Sequence, residues 1–308
     1  MEGRAKRRLK FQLSIAPYIM VIALSGGYVL KDIGQDVKEA KVIEDVRKDV
    51  TITNSPVIID DRYIEEKKSE METDSVEEEP KEDLKEEIKP SQELLDEGYE
   101  FEQIDFGELK QINSDSDAWI VIDGTKIDLP IVKSTDNEYY LHHDIEKNNS
   151  SSGTLFIDYR NEALSSDSLD DITFVYGHHM KNGRMLAGIC NYKDEEFYKE
   201  HEYGIIYTPD GYAYKASVVA CTIVDGESDE NIFASKFNSK EEYKEYLDNI
   251  IAASVIQTDT VVNTDDKLLA LVTCTYEKTN ARCIVYFKLE KQYTNMIQIE
   301  ETMDKTLK

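Results

Sequence analysis

The chain has 308 residues, 36 of them basic and 63 acidic, which gives a formal net charge of −27 at pH 7. A surface of that sign repels phosphate, so the composition argues against nucleic-acid binding. The length accommodates one sizeable folded domain and additional segments. The four cysteines are sparse and match no zinc spacing, so we expect free thiols, no metal site and no cofactor.

The N-terminus combines a basic tail with an apolar span. Residues 1–10 contain five Lys and Arg residues, and residues 11–30 carry no formal charge. About 20 such residues cross a bilayer, and the basic flank stays in the cytoplasm. We therefore predict a single-pass signal-anchor in the cell membrane at 11–30, with the rest of the chain extracellular. A cleaved signal peptide is the alternative, because ALSGG at 23–27 offers small residues.

Residues 31–100 are dominated by charge, as in IEEKKSEMETDSVEEEPKEDLKEEIKP. Such a segment cannot bury enough apolar surface to fold, and its like charges repel one another. We predict an acidic flexible spacer over this range. Within it, GQDVKEAKVIEDVRKDV at 34–50 has weak helical spacing.

The pattern becomes strand-rich from residue 101 and predicts a folded domain at 101–308. Asp123-Gly124 and Pro209-Asp210-Gly211 lie between short apolar runs and indicate two hairpins. Helical spacing occurs at 184–201 and at 240–255. Many short strands with few helices favour a β-barrel or sandwich over a parallel α/β sheet.

Two histidine pairs are candidates for chemistry. His142 and His143 are neighbours in a predicted loop, where adjacent side chains rarely chelate one ion, so we predict no metal there. His178 and His179 end a strand and open a loop, where a ring has a fixed origin and remains accessible. Adjacent side chains on an extended backbone point to opposite faces, so only one ring can turn toward a given partner. Gly177, just before the pair, would allow close approach of a substrate backbone.

The stretch LALVTCTYEKTNARCIVYF at 269–287 places Cys274 at the end of an apolar run and Arg282 near the start of an alternating one. A hairpin centred on Lys278 would put these two residues opposite each other, about 5.5 Å apart at Cβ. A guanidinium in such a place needs an anionic or polarised partner, so we predict a nucleophile with an electrostatic partner. Alternation places Cys283 on the other face, as a small buried residue.

The segments TFVYGHHMKNGRM and LALVTC, with an arginine eight residues after the cysteine, together resemble the sortases, and class B sortases in particular. The resemblance covers about residues 101–289, and the helical segment at 240–254 is similar to the class B insertion. Ala270 is a departure, because the family's TLxTC motif has a threonine there. Strand geometry places that position far from the sulfur.

The resemblance implies a mainly β fold, a sortase-type closed β-barrel with a few peripheral helices, preceded by the transmembrane helix and the acidic spacer. It also implies a cysteine transpeptidase on the outer face of a Gram-positive membrane. Such an enzyme cleaves the C-terminal sorting signal of a secreted protein and passes the acyl group to an amine of the cell wall or of a pilin. Carried onto this sequence, Cys274 is the nucleophile, His178 the acid/base and Arg282 the electrostatic stabiliser, with His179 turned into the loop before Met185.

Two other functions are compatible with parts of the pattern. A papain-like cysteine hydrolase normally has its nucleophile at the start of a helix, whereas Cys274 is predicted at the end of a strand. A non-catalytic surface adhesin or scaffold, lifted off the membrane by the spacer, has no need for a reactive thiol beside a histidine and an arginine. Alkylation that maps to Cys274 would separate an enzyme from an adhesin.

Overall fold

The structure is a computed structural model, and it describes residues 34, 36–52, 103–165, 169–225, 230–274 and 281–293. The chain divides into two compact units, Met1–Asp49 and Val50–Lys308. Residues 36–49 of the first unit are helical, as the spacing at 34–50 predicts. The predicted tail and anchor, and residues 31–33, 35 and 53–100 of the predicted spacer, lie outside the described residues. Among the residues that are described, no helix has the length and apolar character needed to cross a bilayer.

The second unit begins with a small pairing that the sequence did not indicate. Strand β1 (Thr51–Ile52) pairs antiparallel with strand β2 (Gln103–Ile104). The backbone N–H of Asp105 donates to the carbonyl of Val50 over 2.7 Å. Part of the predicted spacer is therefore tied to the residues that open the folded domain. Two-residue strands are too short to produce a periodic signal, which is why the pattern did not predict them.

Eight further strands form the body of this unit. In chain order they are β3 (Ser116–Ile122), β4 (Ile127–Lys133), β5 (Leu155–Ile157), β6 (Ile172–Tyr176), β7 (Tyr203–Tyr207), β8 (Tyr212–Asp225), β9 (Lys267–Cys274) and β10 (Ala281–Tyr293). They close into a barrel in the order β10-β8-β7-β3-β4-β5-β6-β9. The β4–β5 and β6–β9 pairs are parallel, and the other pairs are antiparallel. The mainly β closed barrel that the family resemblance implies is confirmed, and closure gives each of these eight strands a neighbour on both sides.

Both hairpins predicted from turn residues are present. Strands β3 and β4 pair up to Ile122 and Ile127, and Gly124 in the turn between them has a φ of 71°. Strands β7 and β8 are joined by the loop that contains Gly211, which has a φ of 79°. Glycine adopts such left-handed angles without strain, which is why these signals were informative.

The helices are few and short. Within the second unit's described residues they are Phe106–Ile112, Glu195–Glu200 and Lys240–Ala252, with 3₁₀ segments at Tyr139–Leu141, Leu186–Lys193 and Glu230–Phe233. We call Lys240–Ala252 the insertion helix. Its N-cap is Ser239, whose side chain accepts from the backbone N–H of Glu242, while the Glu242 carboxylate accepts from the N–H of Asn238. This capping arrangement fixes where the helix begins.

The insertion helix covers one face of the barrel. Its buried residues Tyr243, Leu247 and Ile250 pack in a single apolar cluster with residues of β6, β8, β9 and β10. Val272 and Ile284 belong to this cluster and are cross-strand partners. The next same-face pair along the two strands is Cys274 and Arg282. The helix therefore supports the two strands that carry the sequence-predicted pair.

Candidate active site

The backbone register brings Cys274 and Arg282 together. Cys274 is the last residue of β9, and β10 runs antiparallel beside it with Arg282 directly opposite Cys274. This is the pairing predicted from a hairpin centred on Lys278. On its other side, Arg282 is opposite Val224 of β8. Arg282 is half-buried, so its guanidinium lies at the barrel surface beside the end of β9.

A parallel strand pair brings His178 to the same end of the barrel. Strand β6 runs parallel to β9, with Tyr176 paired with Val272, and the N–H of Gly177 donates to the carbonyl of Val272 over 3.2 Å. His178 follows Gly177, and two residues past Val272 is Cys274. Adjacent strands lie about 4.8 Å apart, so His178 and Cys274 leave the sheet side by side.

A side-chain hydrogen bond links the two strand ends. Thr273, which precedes Cys274 and is 2% exposed, donates its hydroxyl to the carbonyl of Gly177 over 2.7 Å. Gly177 in turn precedes His178. The bond therefore joins the neighbours of both candidate residues and fixes their relative position.

The imidazole of His178 is oriented by a backbone carbonyl. Its Nε2 lies 2.8 Å from the carbonyl oxygen of Leu141, in the 3₁₀ segment Tyr139–Leu141. A carbonyl can only accept, so Nε2 carries the hydrogen and, in the neutral ring, Nδ1 keeps its lone pair. Gly153 supports this segment, because a Cβ there would lie 2.4 Å from the Tyr140 carbonyl oxygen. His178 is half-buried, so its ring is partly accessible from outside the protein.

His179 turns into its own loop, as predicted. It forms a backbone bridge with Met185, and its Nδ1 lies 3.5 Å from the sulfur of Cys190. Met185 closes the loop with a φ of 54°, a strained angle for a residue with a side chain. The two neighbouring imidazoles thus have separate partners, which are the Leu141 carbonyl and the Cys190 thiol.

Gly177 has a packing role that sequence reasoning missed. A Cβ at this position would lie 2.3 Å from Cδ2 of Leu155 and 2.9 Å from Cγ of Leu186. Any larger residue would push β5 or the 3₁₀ segment Leu186–Lys193 away from the loop. The glycine therefore keeps the loop at residues 177–185, which we call the His178 loop, packed against the barrel.

The other histidine pair stays within its own loop. His143 stacks on Tyr139 with ring centroids 3.9 Å apart, and its Nδ1 lies 2.7 Å from the Tyr139 carbonyl oxygen. His142 is exposed. Within the described part of the chain, no group of three His, Cys, Asp or Glu side chains is placed to hold a metal ion.

An ionic cluster around the buried carboxylate of Asp158 supports β6, and nothing in the sequence pattern pointed to it. The Tyr176 hydroxyl donates to Asp158 over 3.0 Å, and the Arg160 guanidinium donates to both carboxylate oxygens. Burial alone would raise the pKa of Asp158, but the hydrogen bonds from Arg160 and Tyr176 hold that pKa below its usual value. Burial also raises the pKa of Tyr176, which keeps the phenol protonated.

An apolar wall lies beside Tyr176 on the insertion-helix side. Phe233 packs against Phe174 and Tyr176, with centroid distances of 5.6 and 6.4 Å. The insertion helix holds this wall, because the Tyr246 hydroxyl donates to the carbonyl of Ile232. Sequence reasoning missed these residues, since aromatic side chains in a helix and a short loop do not indicate where they pack.

The chain is similar to proteins of known structure and name, although no protein-family model matches it. It is 32% identical over 184 residues to sortase B of Listeria monocytogenes, covering 59% of this chain and 72% of that protein. A mutant form of Clostridium perfringens sortase B superimposes with a TM-score of 0.57 at 34% identity, over 60% of this chain and 86% of that one. A Staphylococcus aureus sortase B–substrate complex gives a TM-score of 0.56 at 29% identity, over 61% and 85%.

Proposed function

Because this chain belongs to the sortase family, class B, and is a sortase-type cysteine transpeptidase, we propose that it acts on the C-terminal sorting signal of secreted proteins. Cys274 forms the thioester, His178 is the acid/base and Arg282 stabilises the developing charge. The observation that carries this assignment is the strand register: Arg282 is directly opposite Cys274, and His178 follows the strand parallel to it.

The reaction proceeds in two halves through a covalent intermediate. The Cys274 thiolate attacks the scissile carbonyl carbon, and Arg282 hydrogen-bonds the oxygen on which negative charge accumulates. When the tetrahedral intermediate collapses, the C–N bond breaks and protonated His178 gives its proton to the departing amine. A second amine then attacks the thioester, His178 takes a proton from it, and the thiolate leaves. A new amide bond has replaced the old one, and the enzyme is restored.

The hydrogen bond from His178 to Leu141 supports this role. With Nε2–H donating to the carbonyl, Nδ1 is the atom that takes and returns the proton. The carbonyl also stabilises the imidazolium, since the negative end of its dipole points toward the ring. The imidazolium of His178 must be present at this step, because it gives its proton to the leaving amine.

The acyl donor and the acyl acceptor are proposed from the complexes in which related proteins were solved. The Staphylococcus aureus protein was solved as a substrate complex, and a further sortase B structure, 30% identical to this chain, was solved with Gly3. A peptide donor and an amine acceptor of the cell wall or of a pilin are therefore the partners we propose. The apolar wall formed by Phe233 and Tyr176 is suited to contact the donor.

The location that we propose is the outer face of a Gram-positive cell membrane. It is supported by the uncharged residues 11–30 behind five basic residues, and by the acidic segment that follows. Carbonate-washed membranes from cells producing the full chain should retain it. Release of the full chain into the wash would contradict the anchor.

The activity is tested with the purified full chain in detergent and a library of sorting-signal peptides, with and without triglycine. We expect one peptide class to be cleaved, and the triglycine adduct to appear in the mass spectrum. Cys274→Ala should abolish both products. Cys221→Ala, at a buried cysteine of β8, is the matched control and should retain them. Absence of cleavage across the library would contradict the proposed sorting-signal substrate.

A further inference from the structure

Three cysteines that the proposed reaction does not use come together in the fold. One of them lies in the 3₁₀ segment that follows the loop at residues 177–185, which contains His178. Cys190, Cys221 and Cys283 are buried, and none of the three forms a disulfide bond. They are sparse in the sequence, but Cys190 and Cys221 both lie close enough to Cys283 to raise the pKa of its thiol. The three thiols are therefore neighbours in the fold although they are sparse in the sequence.

Cys190 and Cys283 belong to two different elements of the fold. Cys283 is in β10, next to Arg282, and its sulfur lies 3.8 Å from the carbonyl oxygen of Ile189. Cys190 follows Ile189 in the 3₁₀ segment Leu186–Lys193, which continues from the His178 loop. The Cys190–Cys283 contact therefore joins the segment after that loop to the strand that carries Arg282.

We propose that Cys190 and Cys283 are a dithiol site that reacts with small disulfides and closes to an intramolecular disulfide bond. The proposal does not depend on the roles assigned to Cys274, His178 and Arg282. It gives a modification site to a region of the barrel that the transpeptidation reaction leaves unused.

Cys190 is the thiol that reacts first. It is 6% exposed, whereas Cys283 has no exposed surface, and its sulfur lies 3.5 Å from Nδ1 of His179. The hydrogen bond from Cys283, together with His179, lowers the pKa of Cys190 to about 7 despite its burial. Because the thiolate is the nucleophile, the lowered pKa makes Cys190 the more reactive of the two thiols. The pKa of Cys283 is raised by its thiol partners and by burial, so it stays protonated until Cys190 has reacted.

The chemistry consists of two thiol–disulfide exchanges. The Cys190 thiolate attacks a disulfide RS–SR, forms Cys190–S–SR and releases RS⁻, which takes up the proton that left Cys190. Cys283 then loses its proton and attacks the Cys190 sulfur, which forms Cys190–S–S–Cys283 and releases a second RSH. Two protein thiols are oxidised and one small disulfide is reduced to two thiols.

Backbone geometry argues against Cys221 as the disulfide partner of Cys283. Cys221 is opposite Val285, and Cys283 is opposite Ile223, so the two cysteines are diagonal neighbours on paired strands. Diagonal neighbours have Cα atoms about 7–8 Å apart, beyond the roughly 4.4–6.8 Å that a disulfide needs. Cys190 lies in a 3₁₀ segment outside the sheet and is not held by that register.

The test uses the full chain with Cys274→Ser, so that the proposed nucleophile cannot consume the reagent. The protein is treated with bis(2-hydroxyethyl) disulfide, remaining thiols are blocked with N-ethylmaleimide, and peptides are identified by mass. We expect a Cys190–Cys283 linked peptide, formed at a rate that rises through about pH 7. Adding Cys221→Ser should leave the yield unchanged.

Two further variants separate the steps. With Cys283→Ala the mixed disulfide on Cys190 should accumulate, because no second thiol resolves it. With Cys190→Ser, Cys283 should stay reduced and be alkylated only after unfolding. Circular dichroism confirms that each variant is folded. A Cys221–Cys283 linkage, an unresolved mixed disulfide in the parent, or an unreactive Cys190 in the folded parent would overturn the proposal.

Discussion

Replacing Thr273 with valine tests how the two strands that carry Cys274 and His178 are held together. Valine matches the shape of threonine but removes the hydroxyl that donates to the Gly177 carbonyl over 2.7 Å. Thr273 is 2% exposed, so water cannot easily replace the donor. A buried acceptor left without its partner costs about 1–3 kcal/mol. We expect the free energy of unfolding to fall by that amount, equivalent to about 2–4 °C in Tm per kcal/mol.

The matched control is Thr173→Val in the neighbouring strand β6. Thr173 is fully buried, and within the described residues its hydroxyl has no hydrogen-bond partner. The same substitution there removes a polar atom that is already unsatisfied, so stability should stay the same or rise. The difference between the two valine variants isolates the hydrogen bond from the change in shape and hydrophobicity.

Urea unfolding can be followed through Trp119, the single tryptophan of the chain, which is fully buried in β3 and so reports on the barrel. The rate of thioester formation is measured on the same variants. Thr273→Val should slow it at a temperature where the variant is fully folded, because His178 and Cys274 lose their fixed separation. Thr273→Ser keeps the hydroxyl and should restore most of the rate. Equal stability changes in the two valine variants would refute the reasoning.

Four other substitutions give distinct outcomes. His178→Ala should abolish peptide cleavage and thioester formation while His179→Ala retains a measurable fraction of both, and the opposite pattern in the same assays would reverse the assignment. Arg282→Lys should lower the cleavage rate about 10²–10³-fold with the fold unchanged, because an ammonium cannot reproduce the planar donor pair. A wild-type rate would mean that the guanidinium has only a structural role. Arg160→Gln should destabilise the protein more at pH 7 than at pH 3. The lowered pKa of Asp158 gives stability that is present above its unfolded pKa of about 3.9 and is lost as pH falls through the folded pKa; an equal urea-midpoint difference at both pH values would contradict this ionic role.

The pairing of Cys274 with Arg282 could be predicted from the sequence because it is local. Arg282 follows Cys274 by eight positions, the turn between them is polar, and period-two alternation fixes which side chains share a face. The two glycine turns were predictable for the same reason. Each was predicted from a few neighbouring residues whose conformational preferences are strong.

The position of His178 could not be derived in this way. It depends on the parallel pairing of β6 with β9, whose residues lie far apart in sequence, and only the family resemblance linked this histidine to Cys274. The Leu141 carbonyl, the Thr273–Gly177 bond and the contact between Cys190 and Cys283 are equally non-local. Backbone carbonyls carry no sequence signal, and a cysteine does not indicate which strand or loop it will contact.

The central claim is that Cys274 carries the acyl group, and mass spectrometry of the acyl-enzyme tests it most directly. The full chain is mixed with an intact sorting-signal peptide that it is able to cleave, in the absence of an acceptor amine. The mixture is then quenched in acid and digested. We predict a mass increase equal to the N-terminal peptide fragment, mapped to Cys274, removed by hydroxylamine or triglycine and absent in Cys274→Ala. An adduct on Cys190 or on any other residue, or peptide cleavage by Cys274→Ala at the wild-type rate, would contradict the account.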